Sequence, residues 1–214
     1  MNVFVNEEIA GAYDAYYQTT AGKEIDAIEE KLIVDALKKV SKGKMLELGC
    51  GTGHWTELFV KMGFEVIATD ISDAMLRQAI EKNLDADILK ADAEELPFKN
   101  ESFDVVASVT MMEFVNSKEV VLNEIYRVLK PGAYLLLGCL NGNSHLAKNT
   151  ANDPVFKNAA FYVPESLEKD LMKFGTPELT KGVHFAPDFK VMDRTAEKDN
   201  HEPAFMVALV QKNK

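Results

Sequence analysis

Cysteine is scarce in this 214-residue chain, which has only Cys50 and Cys139. Neither has a metal-ligating neighbour at useful spacing, and two thiols make no disulfide framework. The expectation is reduced thiols in a cytoplasmic protein, with no metal site. Long apolar runs are missing too, and none approaches the roughly 20 residues that a spanning helix needs. The first residues, Met1-Asn-Val-Phe-Val-Asn-Glu-Glu8, have neither a basic start nor a long apolar core, so they do not read as a signal peptide. Positive charge is outnumbered, with 24 Lys and Arg against 34 Asp and Glu, a formal net charge of −10 and a pI near 5.0. The basic residues are scattered. They form no patch of the kind that a nucleic-acid duplex or an anionic membrane selects, so neither is expected as a partner. Internal repeats, low-complexity tracts and linkers are also lacking, which leaves one domain, long enough for a substantial core.

What is present is a regular alternation. Met45–Leu48, Glu65–Thr69, Asp87–Lys90, Ser102–Val109 and Ala133–Leu140 read as short buried strands. Between them, Thr56–Met62, a segment from Ala74 to Asn83 capped by Ser72 and Asp73, and Val120–Leu129 read as helices. Strands alternating with helices at these lengths predict a parallel sheet covered on both faces, a Rossmann-like α/β fold. Phe189–Asp193 and Ala204–Val210, on either side of a charged loop, predict an antiparallel hairpin that completes a seven-stranded sheet. Ahead of the first strand, Glu24–Val40 carries apolar residues near the helical period and gives the chain an N-terminal helical cap. The expected division is a cap over 1–42, a core over 43–140, a substrate-side insertion over 141–188 with a helix from Pro164, and the closing hairpin over 189–214. Tyr13, Tyr16 and Tyr17 share one face if their segment is helical, and either pack it onto the domain or form a lid over a pocket.

The stretch Lys44-Met-Leu-Glu-Leu-Gly-Cys-Gly-Thr-Gly-His-Trp55 runs from strand through glycine turn into helix, which brings backbone N–H groups near a ligand. His54 stands where a dinucleotide fingerprint needs its third glycine. Glu47 puts a carboxylate beside the turn, which suits an amino group better than a pyrophosphate. Asp70, 21 residues after Gly49 at a strand end, can accept two hydrogen bonds from a ribose diol. A nicotinamide enzyme uses an acid in the same way, so Asp70 alone does not discriminate.

Five motifs then follow one another in order: Glu47-x-Gly-x-Gly-x-Gly53, Asp70-Ile-Ser-x-x-Met75, Ala91-Asp-Ala-x-x-Leu-Pro-Phe98, Phe103-Asp-Val-Val106 and Val128-Leu-Lys-Pro-Gly132. In this the chain resembles the class I S-adenosylmethionine-dependent methyltransferases of the type 11 family, similar to enzymes of ubiquinone and menaquinone biosynthesis. The resemblance covers about residues 10–175. It implies that Gly49, Cys50, Gly51 and Gly53 let the backbone approach the methionine part of the cofactor, with no chemistry for the Cys50 thiol. It also implies that Glu47 holds the amino group directly or through water, and that Asp70 takes the ribose. Ile71 and Met75 would pack on the adenine, which Asp92 and the Ala93 N–H would bind. Thr110 and Met111 would line the methyl-transfer face. Tyr13 and Tyr17, ahead of Thr19-x-x-Gly22, would belong to the covering segment.

The function expected is methyl transfer from S-adenosylmethionine to a small molecule, leaving S-adenosylhomocysteine. A cofactor-binding sensor and, more distantly, an NAD-dependent oxidoreductase are the alternatives. The catalytic residue stays open among His54, Glu113, His145 and Tyr17. Some relatives carry a histidine in the segment Thr110-Met-Met-Glu-Phe-Val115, where this chain has Glu113. The Asn/Asp-Pro-Pro-Tyr signature of nucleic-acid amino-methylating enzymes is absent, and Ser108-Val-Thr-Met111 stands there. The acceptor atom and the oligomeric state are open at this point.

Overall fold

The computed structural model describes residues 3–150, 153–185, 191 and 202–214. Its sheet contains β1 (Lys44–Leu48), β2 (Glu65–Asp70), β3 (Ala86–Lys90), β4 (Phe103–Val109), β5 (Leu129–Leu140), β6 (Glu178–Gly182) and β7 (Phe205–Gln211). They lie in the order β3-β2-β1-β4-β5-β7-β6. The first five strands pair in parallel, and β7 runs antiparallel to both β5 and β6. The helices are α1 (Glu7–Tyr13), α2 (Thr20–Leu37), α3 (His54–Lys61), α4 (Asp73–Glu81), α5 (Lys118–Val128), α6 (His145–Lys148) and α7 (Pro164–Leu171).

The pleat explains how one strand feeds two cores, because successive side chains point to opposite faces. Met45 joins the layer of Ile33 and Leu37 from α2 and Phe59 from α3. Its neighbour Leu46 joins Val121 and Ile125 from α5 with Leu167 and Leu171 from α7. Each such buried side chain contributes about 1.5–3 kcal/mol relative to exposure. Because β4 is buried on both faces except at Asp104, it reads in sequence as a nearly continuous apolar run. Asp104 is structural: its carboxylate accepts from the Lys44 N–H (2.9 Å) and pairs with Lys130 (2.6 Å), which ties β1, β4 and β5 together at their start. No helix among the described residues is long and apolar enough to cross a membrane.

The strand order reverses direction between β1 and β4, and that switch point opens a crevice beyond the carboxyl ends of the strands. Two local features differ from expectation. The hairpin partner of β7 is Glu178–Gly182, inside the span assigned to the substrate-side insertion. This edge strand alternates polar and half-buried residues, so it lacks an apolar run to betray it. The strand expected at 189–193 lies outside the described residues apart from Val191, which bridges to Phe185. The tyrosine segment is also not one helix. Tyr13 ends α1, and Tyr16 and Tyr17 sit in a separate 3-10 turn.

Candidate functional site

A cavity of about 390 Å3 lies beyond the carboxyl ends of β1, β2, β3 and β4, within the size range of small-molecule sites. One wall is the glycine turn, Gly49 to Thr52, with Asp70 and Ile71 after β2. Ala91 to Glu94 after β3 and Val109 to Met111 after β4 continue it. Phe4, Tyr13 and Tyr17 close it from the N-terminal side, and Val155, Asn158 and Ala160 from the insertion. A second cavity, between α2 and the β6–β7 hairpin, is lined by none of the predicted residues.

The turn owes its path to glycine. Gly49, Gly51 and Gly53 have φ of 70°, 53° and 83°, and a Cβ on Gly49 would stand 2.3 Å from Met111 Cγ. Four of the turn's N–H groups are used inside the protein: Gly49 and Cys50 donate to the Thr69 carbonyl (2.8 and 2.9 Å), and Gly53 donates to the Cys50 carbonyl (2.9 Å). Gly51 donates to Asp70 Oδ2 at 2.9 Å. The N–H groups that the turn was expected to bring near a ligand are, at these four positions, engaged within the protein, and they form no nest for a pyrophosphate. This weighs against a dinucleotide.

Asp70 Oδ1 also accepts from the Ser72 N–H at 2.8 Å. Burial pushes its carboxyl up, and these hydrogen bonds oppose that shift. A carboxylate has about four lone-pair sites, so ribose hydroxyls can still be accepted. The Ser72 hydroxyl caps α4 through the Met75 N–H (3.2 Å). Met75 is buried against Ala10 and Ala74, with Phe4 and Tyr13 alongside, while Ile71 is exposed at the cavity. Asp92 and Ala93 line the cavity. Thr110 holds φ of 51°, a left-handed conformation costly for a β-branched residue.

Glu47 sits behind the turn. Its side chain is 2% exposed and outside the cavity lining, and Oε2 accepts from the Thr56 hydroxyl at 2.6 Å. Burial pushes its carboxyl up to about 8. Gly53 also lies outside the lining and packs against Leu84 and Ala79. The Cys50 thiol is buried and pushed up, hence inert.

Of the four catalytic candidates, His54, Tyr17 and Glu113 line the cavity and His145 does not. His54 stacks flat on Tyr17 (centroids 3.9 Å, 9°) and meets Asp26 of α2 at 2.6 Å, so it fastens the covering segment to the core. Burial holds the Tyr17 phenol far above its ordinary range, so it is a poor base. Glu113 is 1% exposed. Its Oε1 accepts from the Leu140 N–H at 2.6 Å, and its Oε2 has no partner. Burial pushes this carboxyl up to about 7. Tyr16, grouped with the other tyrosines by sequence, is exposed and outside the cavity.

Sequence reasoning missed Phe4, whose carbonyl accepts from the Ser72 hydroxyl (2.7 Å) and whose ring meets Phe114 edge-on. It also missed Glu94, which accepts from the Asn116 and Ser117 N–H groups and so ties the loop after β3 to the loop after β4. No local spacing signals either contact.

Residues 46–137 match the family model described as "Methyltransferase domain". Over 98% of both chains, the sequence is 28% identical to the uncharacterized protein MJ1123 of Methanocaldococcus jannaschii. It is 34% identical to the ubiquinone/menaquinone biosynthesis C-methyltransferase UbiE of Methylococcus capsulatus over 62% of this chain and 57% of that one. The chain thus spans just over half the length of that relative. A solved structure from Thermotoga maritima, described as an S-adenosylmethionine-dependent methyltransferase and "possible histamine N-methyltransferase", is also similar. It superposes with a TM-score of 0.77 over 98% of this chain and 99% of that one, at 26% identity. Residues 46–137 are thus similar to a methyltransferase domain, and the chain as a whole shares its seven-stranded fold with a solved S-adenosylmethionine-dependent methyltransferase.

Proposed function

We propose that the chain transfers the methyl group of S-adenosylmethionine to a small molecule held in the same cavity. The observation that carries this reading is the chemistry of the walls. Asp70 and Asp92 stand after successive strands to accept from hydroxyl and amino groups, and the glycine turn beside Asp70 offers no anion nest. Bound there, S-adenosylmethionine supplies a methyl carbon on a sulfonium, open to displacement in line with the sulfur.

The protein's part is to bind and orient. Gly49 and Gly51 let the backbone lie close to the methionine moiety, and Asp70 fixes the ribose through lone pairs that the Gly51 and Ser72 N–H groups leave free. Asp92 and Ala93 hold the adenine, with Ile71 and Met75 against its faces. Glu47 acts on the amino group through water, because its side chain stands behind the wall. Tyr13 and Tyr17 exclude solvent from the sulfonium side, where an aromatic face contributes roughly 0.5–2 kcal/mol toward a cation. Thr110 and Met111 face the transferred methyl, and holding donor, methyl and acceptor collinear supplies much of the rate. The acceptor enters between Glu113 and Val155–Ala160.

Calorimetry with S-adenosylmethionine, S-adenosylhomocysteine and NAD tests the cofactor, and binding of NAD alone would overturn the reading. Transfer of a labelled methyl group into a metabolite extract tests the reaction. Tight cofactor binding with no transfer to any metabolite would leave a sensor instead of an enzyme.

A further inference from the structure

The acceptor end of the cavity is unlike its cofactor end. Four charged side chains line the cavity, Asp70, Asp92, Glu94 and Glu113, all of them acidic, and among the described residues no Lys or Arg joins them. Asp70 and Asp92 have tasks on the cofactor, and Glu94 is engaged with the backbone after β4. Glu113 is left over. It sits in the tight turn after β4, held by the Leu140 N–H on one oxygen and bound to nothing described on the other. A buried carboxylate oxygen without a donor costs free energy, and a ligand N–H would satisfy it. Its own backbone carbonyl accepts from the Ala160 N–H at 2.8 Å, which places it against the insertion. Beside it stands the Phe114 ring, and Phe4 and Tyr13 add further aromatic surface.

We infer that Glu113 receives the methyl acceptor and that the acceptor is an amine. The inference rests on the methyl-transfer reading above. An anionic acceptor, such as a carboxylate or phosphate, would meet four acidic groups and no basic one. A phenol could donate to Glu113, but its phenolate would meet no cation in the lining, because Lys118 lies behind the wall with its ammonium on the Ala160 carbonyl and the Tyr162 ring. An ammonium satisfies the unpartnered oxygen and the aromatic faces together. Glu113 Oε2 takes a proton from the nitrogen, and the freed lone pair attacks the methyl carbon. The carbon–nitrogen bond forms as the carbon–sulfur bond breaks, and that electron pair returns to sulfur. The products are an N-methylammonium and S-adenosylhomocysteine, and the proton on Glu113 leaves to solvent with them.

The carboxyl is suited to this exchange, since burial raises it to about 7. Burial raises it, while the Leu140 N–H and the Lys118 ammonium of α5 pull it down, and Glu113 in turn raises Glu29 of α2, Cys139 of β5 and Tyr162.

The test uses phenethylamine against 4-ethylphenol and 3-phenylpropionate, probes of one size and three charges. Binding to protein saturated with S-adenosylhomocysteine is read by calorimetry, and labelled methyl transfer is read alongside. Phenethylamine should bind and be methylated in preference to both others, with kcat/KM rising through pH 7 as Glu113 ionises. Glu113→Gln keeps an acceptor for the Leu140 N–H. It should weaken phenethylamine binding at least tenfold, abolish the rise with pH and leave S-adenosylmethionine affinity within twofold. Glu113→Ala serves as a second variant, with thermal melting to confirm that each is folded. Preference for the phenol or the acid overturns the inference, as does unaltered amine binding in folded Glu113→Gln. Failure of S-adenosylmethionine itself to bind would overturn the reading beneath it.

Discussion

Replacing Glu47 with glutamine is the most informative single change. The carboxyl is buried to 2% exposure and raised from 4.5 to about 8, chiefly by loss of water, while the Thr56 hydroxyl pulls it back down. For an acid whose folded value lies above its unfolded one, the folded state binds the extra proton. Stability is therefore greatest below about pH 4.5 for this group and is lost as pH rises toward 8. The gap corresponds to a loss on the order of 3–5 kcal/mol across that window. Glu113 and Glu29, raised to about 7 and about 8, slope the same way, so Glu47→Gln should flatten the pH dependence without abolishing it. Urea unfolding of the cofactor-free protein at pH 5 and pH 8.5 reads this directly. The functional consequence follows from the same numbers. At pH 7, roughly nine-tenths of Glu47 is protonated when the cofactor is absent. A nearby ammonium favours the ionised form, so binding S-adenosylmethionine should release close to one proton from this residue. Calorimetry in phosphate and in Tris separates proton release from intrinsic heat, because the two buffers take up protons with different enthalpies. The wild type should show a marked buffer dependence, and Glu47→Gln should lose most of it. An identical dependence in both proteins would remove Glu47 from the cofactor's amino group.

Asp70→Ala should weaken S-adenosylmethionine binding at least tenfold, about 1.4 kcal/mol, and unchanged affinity by calorimetry would refute the ribose assignment. Gly49→Ala places a Cβ 2.3 Å from Met111 Cγ and 2.6 Å from Met111 Cβ at a φ of 70°. The left-handed backbone and the overpacking together cost roughly 2–5 kcal/mol. A loss below about 1 kcal/mol in urea unfolding would mean that Met111 moves aside freely.

The core of the fold was legible because its strands are apolar on both faces and its turns carry glycine. β1, β4 and β5 announce themselves through Met45–Leu48, Val105–Val109 and Leu135–Leu140. The edge strand β6 did not, since Glu-Leu-Thr-Lys-Gly has the composition of a loop and gains its pairing only from β7. Gly22 shows the opposite case. A Cβ there would lie 2.0 Å from the Tyr16 carbonyl, and the Thr19 hydroxyl accepts from the Gly22 N–H (2.9 Å) and donates to that same carbonyl (2.8 Å). The Thr-x-x-Gly spacing is thus a local device and can be read locally. Glu47 was recognised beside the turn, but which way its side chain points was not legible. Strand parity turns its side chain toward α3, where Thr56 waits two residues into the helix. The contacts of Phe4, Asp26 and Glu94 join segments more than 20 residues apart and leave no periodic trace.

The segment over the cavity is fastened differently from the frame beneath it. Asp14 reaches Thr52 (2.6 Å) and Lys82 (2.7 Å), Glu7 pairs with Arg77, and Phe4 bonds Ser72 through its carbonyl. The two ion pairs among these, Asp14–Lys82 and Glu7–Arg77, are worth about 0–1 kcal/mol each and weaken with salt. The frame is held by a hydrogen-bonded sheet that would have to unfold to yield. The segment over the cavity is held instead by these polar contacts, the small cluster of Ala10, Phe4 and Tyr13 on Ala74 and Met75, and the Tyr17–His54 stack. On the proposed reading, loosening those contacts would open a path for exchange of spent for fresh cofactor while the glycine turn and Asp70 keep their shape. A substitution at Asp14 or Glu7 would alter how long a ligand stays, while one at Asp70 would alter whether it is recognised at all.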